Sequence, residues 1–104
     1  MEEYSEYIVR LKPSAFDDVG ELYQYIANEL YAPATADKYI DGLYDVIESL
    51  SWMGGSYAIS QNENIQKRYG PDARTVVYKK MTIIYNVVEN YVLVQRVIAS
   101  SLIR

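Results

Sequence analysis

Three consecutive β-strands separated by tight turns are predicted for the last third of the chain, and no other segment constrains the fold as much. The strands are Arg74–Lys79, Met81–Val88 and Tyr91–Ala99, in which Val, Ile, Tyr and Thr predominate. These residue types pack well on a pleated, half-buried surface. Because only Lys79-Lys80 and Glu89-Asn90 remain for the turns, the three strands are predicted to form an antiparallel meander.

A strand and an amphipathic helix are predicted at the start of the chain. Tyr7–Leu11 alternates apolar and polar residues, as a half-buried strand does. Ser14 follows as the predicted N-cap of the first helix, with Asp17 and Asp18 in its first turn, where the helix dipole favours negative charge. Apolar residues then recur at helical spacing, at Ala15, Val19, Leu22, Ile26 and Leu30.

A second helix is predicted over 34–50, because Pro33 cannot continue the hydrogen bonds of the first. The short connection makes the two helices an antiparallel hairpin. The following segment, Ser51 to Asp72, lacks periodicity and is predicted to be an irregular loop, with Trp52 and Met53 filling the base of the core. The order β-α-α-β-β-β predicts an α+β fold, in which the helical hairpin packs on one face of a mainly antiparallel four-stranded sheet.

Composition restricts the chemistry of this chain, which at 104 residues is predicted to form one domain, 1–104. With no Cys and no His, thiolate nucleophiles, histidine bases and the metal sites built from them are excluded. Asp37, Asp41 and Asp45 are interpreted as a solvated helix face, with a metal site as the sharper alternative. No metal or cofactor is expected.

The sequence contains no signal for a membrane or for secretion. No apolar run approaches the roughly 20 residues that span a bilayer, and the acidic N-terminus does not resemble a signal peptide. A cytoplasmic protein without membrane contact is therefore expected.

Positive charge is concentrated toward the C-terminus. Residues 65–104 carry seven Lys or Arg against two acids, whereas residues 1–64 carry three against twelve. The net charge of −4 argues against a protein built chiefly to hold nucleic acid, although an anionic partner is expected to meet the basic part. The twelve tyrosines are interpreted as residues whose rings pack in the core while their hydroxyl groups reach solvent. The alternative is that some of them form a partner-binding surface.

Several short patterns fall in a consistent order along the chain. Ser14-Ala15-Phe16-Asp17-Asp18 follows the first strand, and Arg74 opens the second. Ile83–Val87 reads aliphatic-aliphatic-Tyr-x-Val, and Val92–Ile98 carries Arg96 before its last aliphatic pair. Together these patterns resemble the RelE/ParE superfamily of bacterial toxins, and its ParE-like branch in particular, over nearly the whole chain.

This resemblance implies the toxin of a type II toxin–antitoxin (plasmid stabilisation) system, which inhibits growth by binding DNA gyrase and is neutralised by a cognate antitoxin. RelE-like relatives instead cleave mRNA on the ribosome with a set of basic residues. At two arginine positions of that set this chain has Thr82 and Ser101, and Ala99-Ser100-Ser101 replaces a typical ParE-like His-Gly-Arg ending. A degenerate, non-toxic member that only binds an antitoxin is one alternative. An mRNA endoribonuclease is another, with Lys67, Arg68, Arg74, Lys79 and Arg96 as its residues.

Two candidate surfaces follow from the resemblance. Target-binding residues are expected in the basic meander and its tail, at Arg74, Lys79, Lys80, Arg96, Ser100, Ser101 and Arg104. Antitoxin contacts are expected on the helical hairpin, at Tyr23, Tyr31, Tyr39 and Tyr44. No catalytic residue is assigned with certainty. The candidates are Arg74, Arg96 and Tyr85, for which ion pairing or core packing is the competing role.

The expected partners are a cognate antitoxin and DNA gyrase, with the ribosome or mRNA in the endoribonuclease alternative. An antitoxin segment that folds on binding could lay a helix against the hairpin and add a strand to an exposed sheet edge. The sequence leaves open whether the chain is a monomer, a homodimer or part of a heterotetramer with its antitoxin.

Overall fold

The sheet is organised around its fourth strand, which lies between the first and the third. The computed structural model describes residues 7–103. Its strands are β1 (Ile8–Leu11), β2 (Arg74–Tyr78), β3 (Met81–Val88) and β4 (Tyr91–Ala99). The order across the sheet is β1-β4-β3-β2, with β1 parallel to β4 and the other neighbours antiparallel. The predicted α+β fold with a mainly antiparallel sheet is therefore confirmed.

Two-residue turns set the register of the meander. Lys79 and Glu89, the first residues of the two turns, have φ angles of 53° and 56°. A positive φ at this position is what matches a tight hairpin turn to the twist of its strands. Within the β3–β4 pair, Ile84 lies opposite Arg96 and Tyr85 opposite Val94, so Gln95 is an extra residue that forms a bulge.

The helical hairpin consists of α1 (Pro13–Gln24), a π-helical turn (Tyr25–Glu29) and α2 (Pro33–Met53). The prediction that Ser14 caps α1 is wrong. The helix begins at Pro13, with Lys12 at the N-cap and no capping side chain, because proline has no N–H to lose and its φ suits the first helical position.

The apolar stripe of the first helix is interrupted by the π-helical turn. Ala15, Val19 and Ile26 are buried as predicted, whereas Leu30 is 54% exposed. A π-helical turn contains an extra residue and so rotates the residues after it away from the stripe. Leu30 consequently lies at the surface near the tip of the hairpin.

The main core lies between the hairpin and one face of the sheet. Leu43, Ile47 and Leu50 of α2 pack with Tyr85 and Val94 among its fully buried side chains. Trp52 was expected to fill the base of this core, but it is 58% exposed. The prediction for Trp52 is wrong because the apolar face of α2 is completed by Leu50, and Trp52 lies on the other side of the helix.

A third helix, α3 (Glu63–Tyr69), lies within the segment that was predicted to be an irregular loop. The side chain of Asn62 caps it by accepting the N–H of Ile65 at 3.0 Å, and Gly70 follows its last residue with a φ of 107°. These are standard start and stop signals. They were overlooked because seven residues are too few to show a helical period. Ile65 packs with Ala73 and Ile84 in a second, smaller core on the opposite face of the sheet.

The packing of β2 against α2 depends on the absence of a side chain at Gly42. A Cβ at this residue would lie 2.1 Å from the hydroxyl oxygen of Tyr78 and 2.9 Å from Cζ of the same ring. We expect Gly42→Ala to displace the ring and to lower the free energy of unfolding by about 1–3 kcal/mol. Urea denaturation of the purified protein measures this change.

Gly20→Ala is the matched control for that substitution. Gly20 also lies inside a helix, but a Cβ there would meet nothing within 4 Å. Because alanine is the better helix former, this variant should gain about 0.5–1 kcal/mol. Equal effects of the two substitutions would contradict the close approach of Tyr78 to α2.

Candidate functional site

α1 lies along the part of β4 that β1 does not reach. β1 pairs with residues 91–94 only, so within 7–103 the rest of β4 has no strand partner on that side. The hydroxyl of Ser14 donates to the carbonyl oxygen of Gln95 at 2.8 Å, and the carboxylate of Asp18 accepts the N–H of Val97 at 2.9 Å. Because residues four apart share a face of a helix, these two side chains cap the open edge of β4.

Arg96, a predicted target-binding residue, forms an ion pair with the same carboxylate. Its Nε lies 2.7 Å from Oδ2 of Asp18 and its Nη2 lies 2.9 Å from Oδ1. The two side chains are 33% and 10% exposed. Hydrogen bonding to Asp18 raises the pKa of Arg96 above its ordinary value, against the opposing effect of burial. The charge of Arg96 is therefore balanced within the chain.

Arg74 holds a loop against the beginning of β2. Its guanidinium donates to the backbone carbonyls of Tyr57 and Gly55, and its backbone forms an isolated antiparallel bridge with Ile59. The side chain is only half-buried, but its donors are directed at the loop. The structure thus gives Arg74 a role in positioning residues 55–59.

Tyr85 lies entirely inside the core, with 0% of its surface exposed. Its hydroxyl donates to the carbonyl oxygen of Gly54 at 2.7 Å, just beyond the end of α2. Burial raises its pKa to about 12, against a smaller lowering effect of Arg74. The phenol links the sheet to the hairpin and has no exposed surface to offer a substrate.

The turn between β2 and β3 brings three of the predicted target-binding residues together. The ammonium nitrogen of Lys79 lies 5.5 Å from the ring centroids of both Tyr39 and Tyr78, a geometry that attracts a cation to the ring faces. Lys80 is exposed, and its carbonyl oxygen accepts the N–H of Ser100 at 2.8 Å. The C-terminal turn thus lies directly beside the tip of this basic hairpin.

Short hydroxyl side chains occupy the region where the resemblance would have placed arginines. The hydroxyl oxygens of Ser100 and Thr82 lie 2.7 Å apart, and Thr82 is buried. Ser101 is exposed in the 3₁₀ turn Ser100–Leu102 that follows β4. The prediction for Arg104 lies outside the described residues.

The predicted target-binding residues therefore form no single cluster. Arg74 opens β2 and Lys79 follows its last residue, five positions later, which corresponds to roughly 16 Å along a strand. Lys79, Lys80, Ser100 and Ser101 lie near the far end of the meander. Arg96 points instead to the side of α1.

The four tyrosines predicted to contact an antitoxin differ widely in exposure. Tyr31 is 88% exposed and has a φ of 52°. Tyr23 is half-buried, and its hydroxyl donates to Asp37 at 3.0 Å, which raises its pKa. Tyr39 and Tyr44 are half-buried against the main core. Of the four, Tyr31 offers the most surface to a partner.

Two open grooves flank the C-terminal end of β4. The first, the hairpin groove, measures about 610 Å³ and lies between the hairpin and the sheet. Its apolar lining includes Leu22, Tyr25, Ile26, Leu30, Met81 and Leu102. The second, the α3 groove, measures about 430 Å³ and lies between α3 and the C-terminal turn. The sequence did not predict the α3 groove because the helix forming one wall was missed.

The described residues form neither a carboxylate cluster suited to a metal ion nor a helix suited to span a membrane. Within residues 7–103, no three Asp or Glu side chains are grouped closely enough to hold a metal ion; Asp37, Asp41 and Asp45 lie along the outer side of α2. Over the same span, none of the helices is both long and apolar enough to cross a membrane.

Comparison with known proteins shows that the fold is shared with a solved structure. A chain of a solved structure described as "Chromosomal ParDE TA system from P. aeruginosa" superposes with a TM-score of 0.75 over 90% of this chain and 96% of that one, at 16% sequence identity. No protein-family model matches the chain, and no curated protein matches it either. The protein thus shares the fold of that ParDE chain, in agreement with the fold that the resemblance in its sequence implied.

The stability of the protein is expected to be sensitive to substitution of Asp18, whose side chain is only 10% exposed. Asp18→Ala would leave Arg96 without its carboxylate partner and the N–H of Val97 without its acceptor. The free energy of unfolding should fall by about 2–3 kcal/mol. A double-mutant cycle with Arg96→Met, read by urea denaturation, should give a coupling energy of about 1–2 kcal/mol.

Asp17→Ala provides the control, because Asp17 is the adjacent acid of the same helix turn and is exposed. Its effect should stay within about 0.5 kcal/mol. If the two alanine substitutions were equally costly, the carboxylate of Asp18 would not be holding the β4 edge.

The raised pKa of Tyr85 predicts a loss of stability at alkaline pH. The phenol ionises near pH 10 in the unfolded chain and near pH 12 in the folded one, so its contribution is complete below pH 10 and declines as the pH rises toward 12. Between pH 8 and pH 11 the advantage of the wild type over Tyr85→Phe should shrink by about 1.4 kcal/mol. Urea denaturation at both pH values measures it.

Tyr31→Phe is the control for this pH dependence, because it makes the same chemical change at a side chain that is 88% exposed. Its difference from the wild type should be nearly the same at both pH values. A constant difference between the wild type and Tyr85→Phe would contradict the raised pKa.

Proposed function

We propose that this chain is the single-domain, cytoplasmic toxin of a ParE-like type II toxin–antitoxin pair, which inhibits growth by binding DNA gyrase and is neutralised by a cognate antitoxin. The observation that carries the proposal is the shared fold: 90% of the chain superposes on a chain of a ParDE toxin–antitoxin system. The element order and the positions of Arg74, Tyr85 and Arg96 in the meander add support from the sequence.

All three candidate catalytic residues are already held by contacts within the chain, which favours a protein that acts by binding its target over one that cleaves RNA. Arg96 is paired with Asp18, Arg74 is directed at a backbone loop, and Tyr85 is buried. Cleavage of a phosphodiester needs a base, an acid and positive charge positioned around one phosphate. Within residues 7–103, these three side chains do not converge on a common open space.

The basic hairpin and the C-terminal turn are the proposed target-binding surface. Lys79 and Lys80 lie at the tip of the hairpin, and Ser100 and Ser101 lie beside it. These residues carry positive charge and hydroxyl groups that have access to solvent. They form a compact patch that a large protein partner could cover, whereas Arg74 and Arg96 already have partners within the chain.

The hairpin groove is the proposed antitoxin-binding surface. Tyr31 is 88% exposed, and Tyr25 and Leu30 are each 54% exposed beside it. A bulky residue with a positive φ is strained, at a cost of about 1–3 kcal/mol, and such strain tends to occur at functional positions. A group of exposed apolar side chains next to an open groove is typical of a surface that a partner covers.

Induced expression tests the toxin proposal. Without an antitoxin the chain should arrest bacterial growth, and the purified protein should inhibit supercoiling by purified gyrase. Co-expression of the cognate antitoxin should restore growth. Normal growth together with uninhibited supercoiling would contradict the proposal, and new 5′ ends in translated mRNAs would favour the endoribonuclease alternative.

Substitution of Tyr31 tests the antitoxin surface within the same system. Tyr31→Ala should leave growth arrest intact but weaken rescue by the co-expressed protein, with a loss of binding free energy of about 2 kcal/mol as for a central interface aromatic. Phe16→Ala, which removes another exposed aromatic of the hairpin, should leave rescue unchanged. Equal rescue of both variants would exclude Tyr31 from the interface.

A further inference from the structure

The α3 groove has an apolar floor on the face of the sheet opposite the hairpin. Ile84 of β3, Ile98 of β4 and Ile65 of α3 line it, and the C-terminal turn contributes Leu102 and Ile103. Ile84 and Ile65 are buried, whereas Leu102 is 67% exposed at the lip. An aliphatic recess with an exposed apolar lip is suited to receive an apolar side chain and to bury it further.

The rim of the α3 groove is positively charged. Lys67 and Arg68 are exposed in the last turn of α3 and line the groove together with Tyr69, Asn62 and Asn64. None of the described residues that line the groove is acidic, and no described acid lies within ion-pair distance of Lys67 or Arg68, because the ion pair found in 7–103 is that of Arg96 with Asp18. These two charges are complementary to a carboxylate brought by a partner.

This combination suits a peptide better than a nucleic acid. Single-stranded nucleic acids are held by a continuous basic track and by aromatic rings on which bases stack. The α3 groove offers two cations at one side and an aliphatic floor, and Tyr69 is the aromatic residue among those lining it. A carboxylate can meet the rim while a neighbouring apolar side chain enters the recess, as in interfaces with an apolar core and a polar rim.

We propose that the α3 groove binds an acidic, apolar peptide segment of a partner protein, with acidic side chains at Lys67 and Arg68 and an apolar side chain over Ile84 and Ile98. The site lies on the other face of the sheet from the proposed antitoxin surface. The groove and its charges do not depend on toxicity, so the site would remain if the chain proved harmless to cells.

Selection from a displayed library of random twelve-residue peptides on the immobilised full-length protein tests this site. The selected peptides should be enriched in both acidic and large apolar residues. Their affinity, measured by fluorescence anisotropy of synthetic copies, should fall at least about tenfold on the variant Lys67→Glu/Arg68→Glu, which turns two attractions into repulsions. The charge reversals could weaken binding simply by unfolding α3, so a second variant outside that helix is needed. Leu102→Ser leaves α3 unchanged and should also weaken binding.

Lys12→Glu/Lys38→Glu is the matched control, because it changes the net charge equally at exposed lysines outside the groove. It should bind the selected peptides as the wild type does. Selected peptides without an acidic excess, or equal losses in both double variants, would overturn the proposal. A twelve-nucleotide RNA that displaces the peptides, or a wild-type dimer that Lys67→Glu/Arg68→Glu dissociates in light scattering, would assign the groove to another occupant and overturn it as well.

Discussion

The carboxylate of Asp18 joins the helical layer to the sheet along the part of the β4 edge that β1 leaves open. β1 is too short to cover β4 beyond Val94, and an open strand edge exposes backbone groups that must find partners or water. Asp18 accepts the N–H of Val97 and both donors of Arg96, while Ser14 satisfies the carbonyl of Gln95. The position of α1, and with it the hairpin groove, depends on these hydrogen bonds.

Two of the arginines form their hydrogen bonds within the chain, which reduces the positive charge available to a partner. Arg96 and Arg74 are occupied by Asp18 and by the backbone of the loop at 55–57. The exposed cations include Lys79 and Lys80 at the hairpin tip and the α3 pair on the opposite face, and others, such as Lys12 and Lys38, are scattered over the helical hairpin. A chain with a net charge of −4 therefore presents its positive charge in small, separate places, which suits protein partners better than a long polyanion.

The two grooves share one wall at the C-terminal turn. Leu102 lines both the hairpin groove and the α3 groove and is largely exposed. The turn that carries it is fixed to the sheet by the Thr82–Ser100 hydroxyl pair and by the bond from Ser100 to Lys80. A partner that covers Leu102 from one side removes apolar surface available to a partner on the other. The end of β4 is thus the region where two binding events would affect each other.

The sequence by itself determined the order of the strands and helices, the meander and the helical hairpin, because apolar periodicity, prolines and two-residue turns are local signals. The resemblance carried by Arg74, Tyr85 and Arg96 also pointed to the correct fold. Tertiary structure decided what those side chains do. Tyr85 became a buried link to Gly54, Arg96 the partner of Asp18, and α3 a wall of a groove. These roles depend on groups far apart in the chain, such as Asp18 and Arg96, which no local pattern relates and which only the packed fold brings within hydrogen-bonding distance.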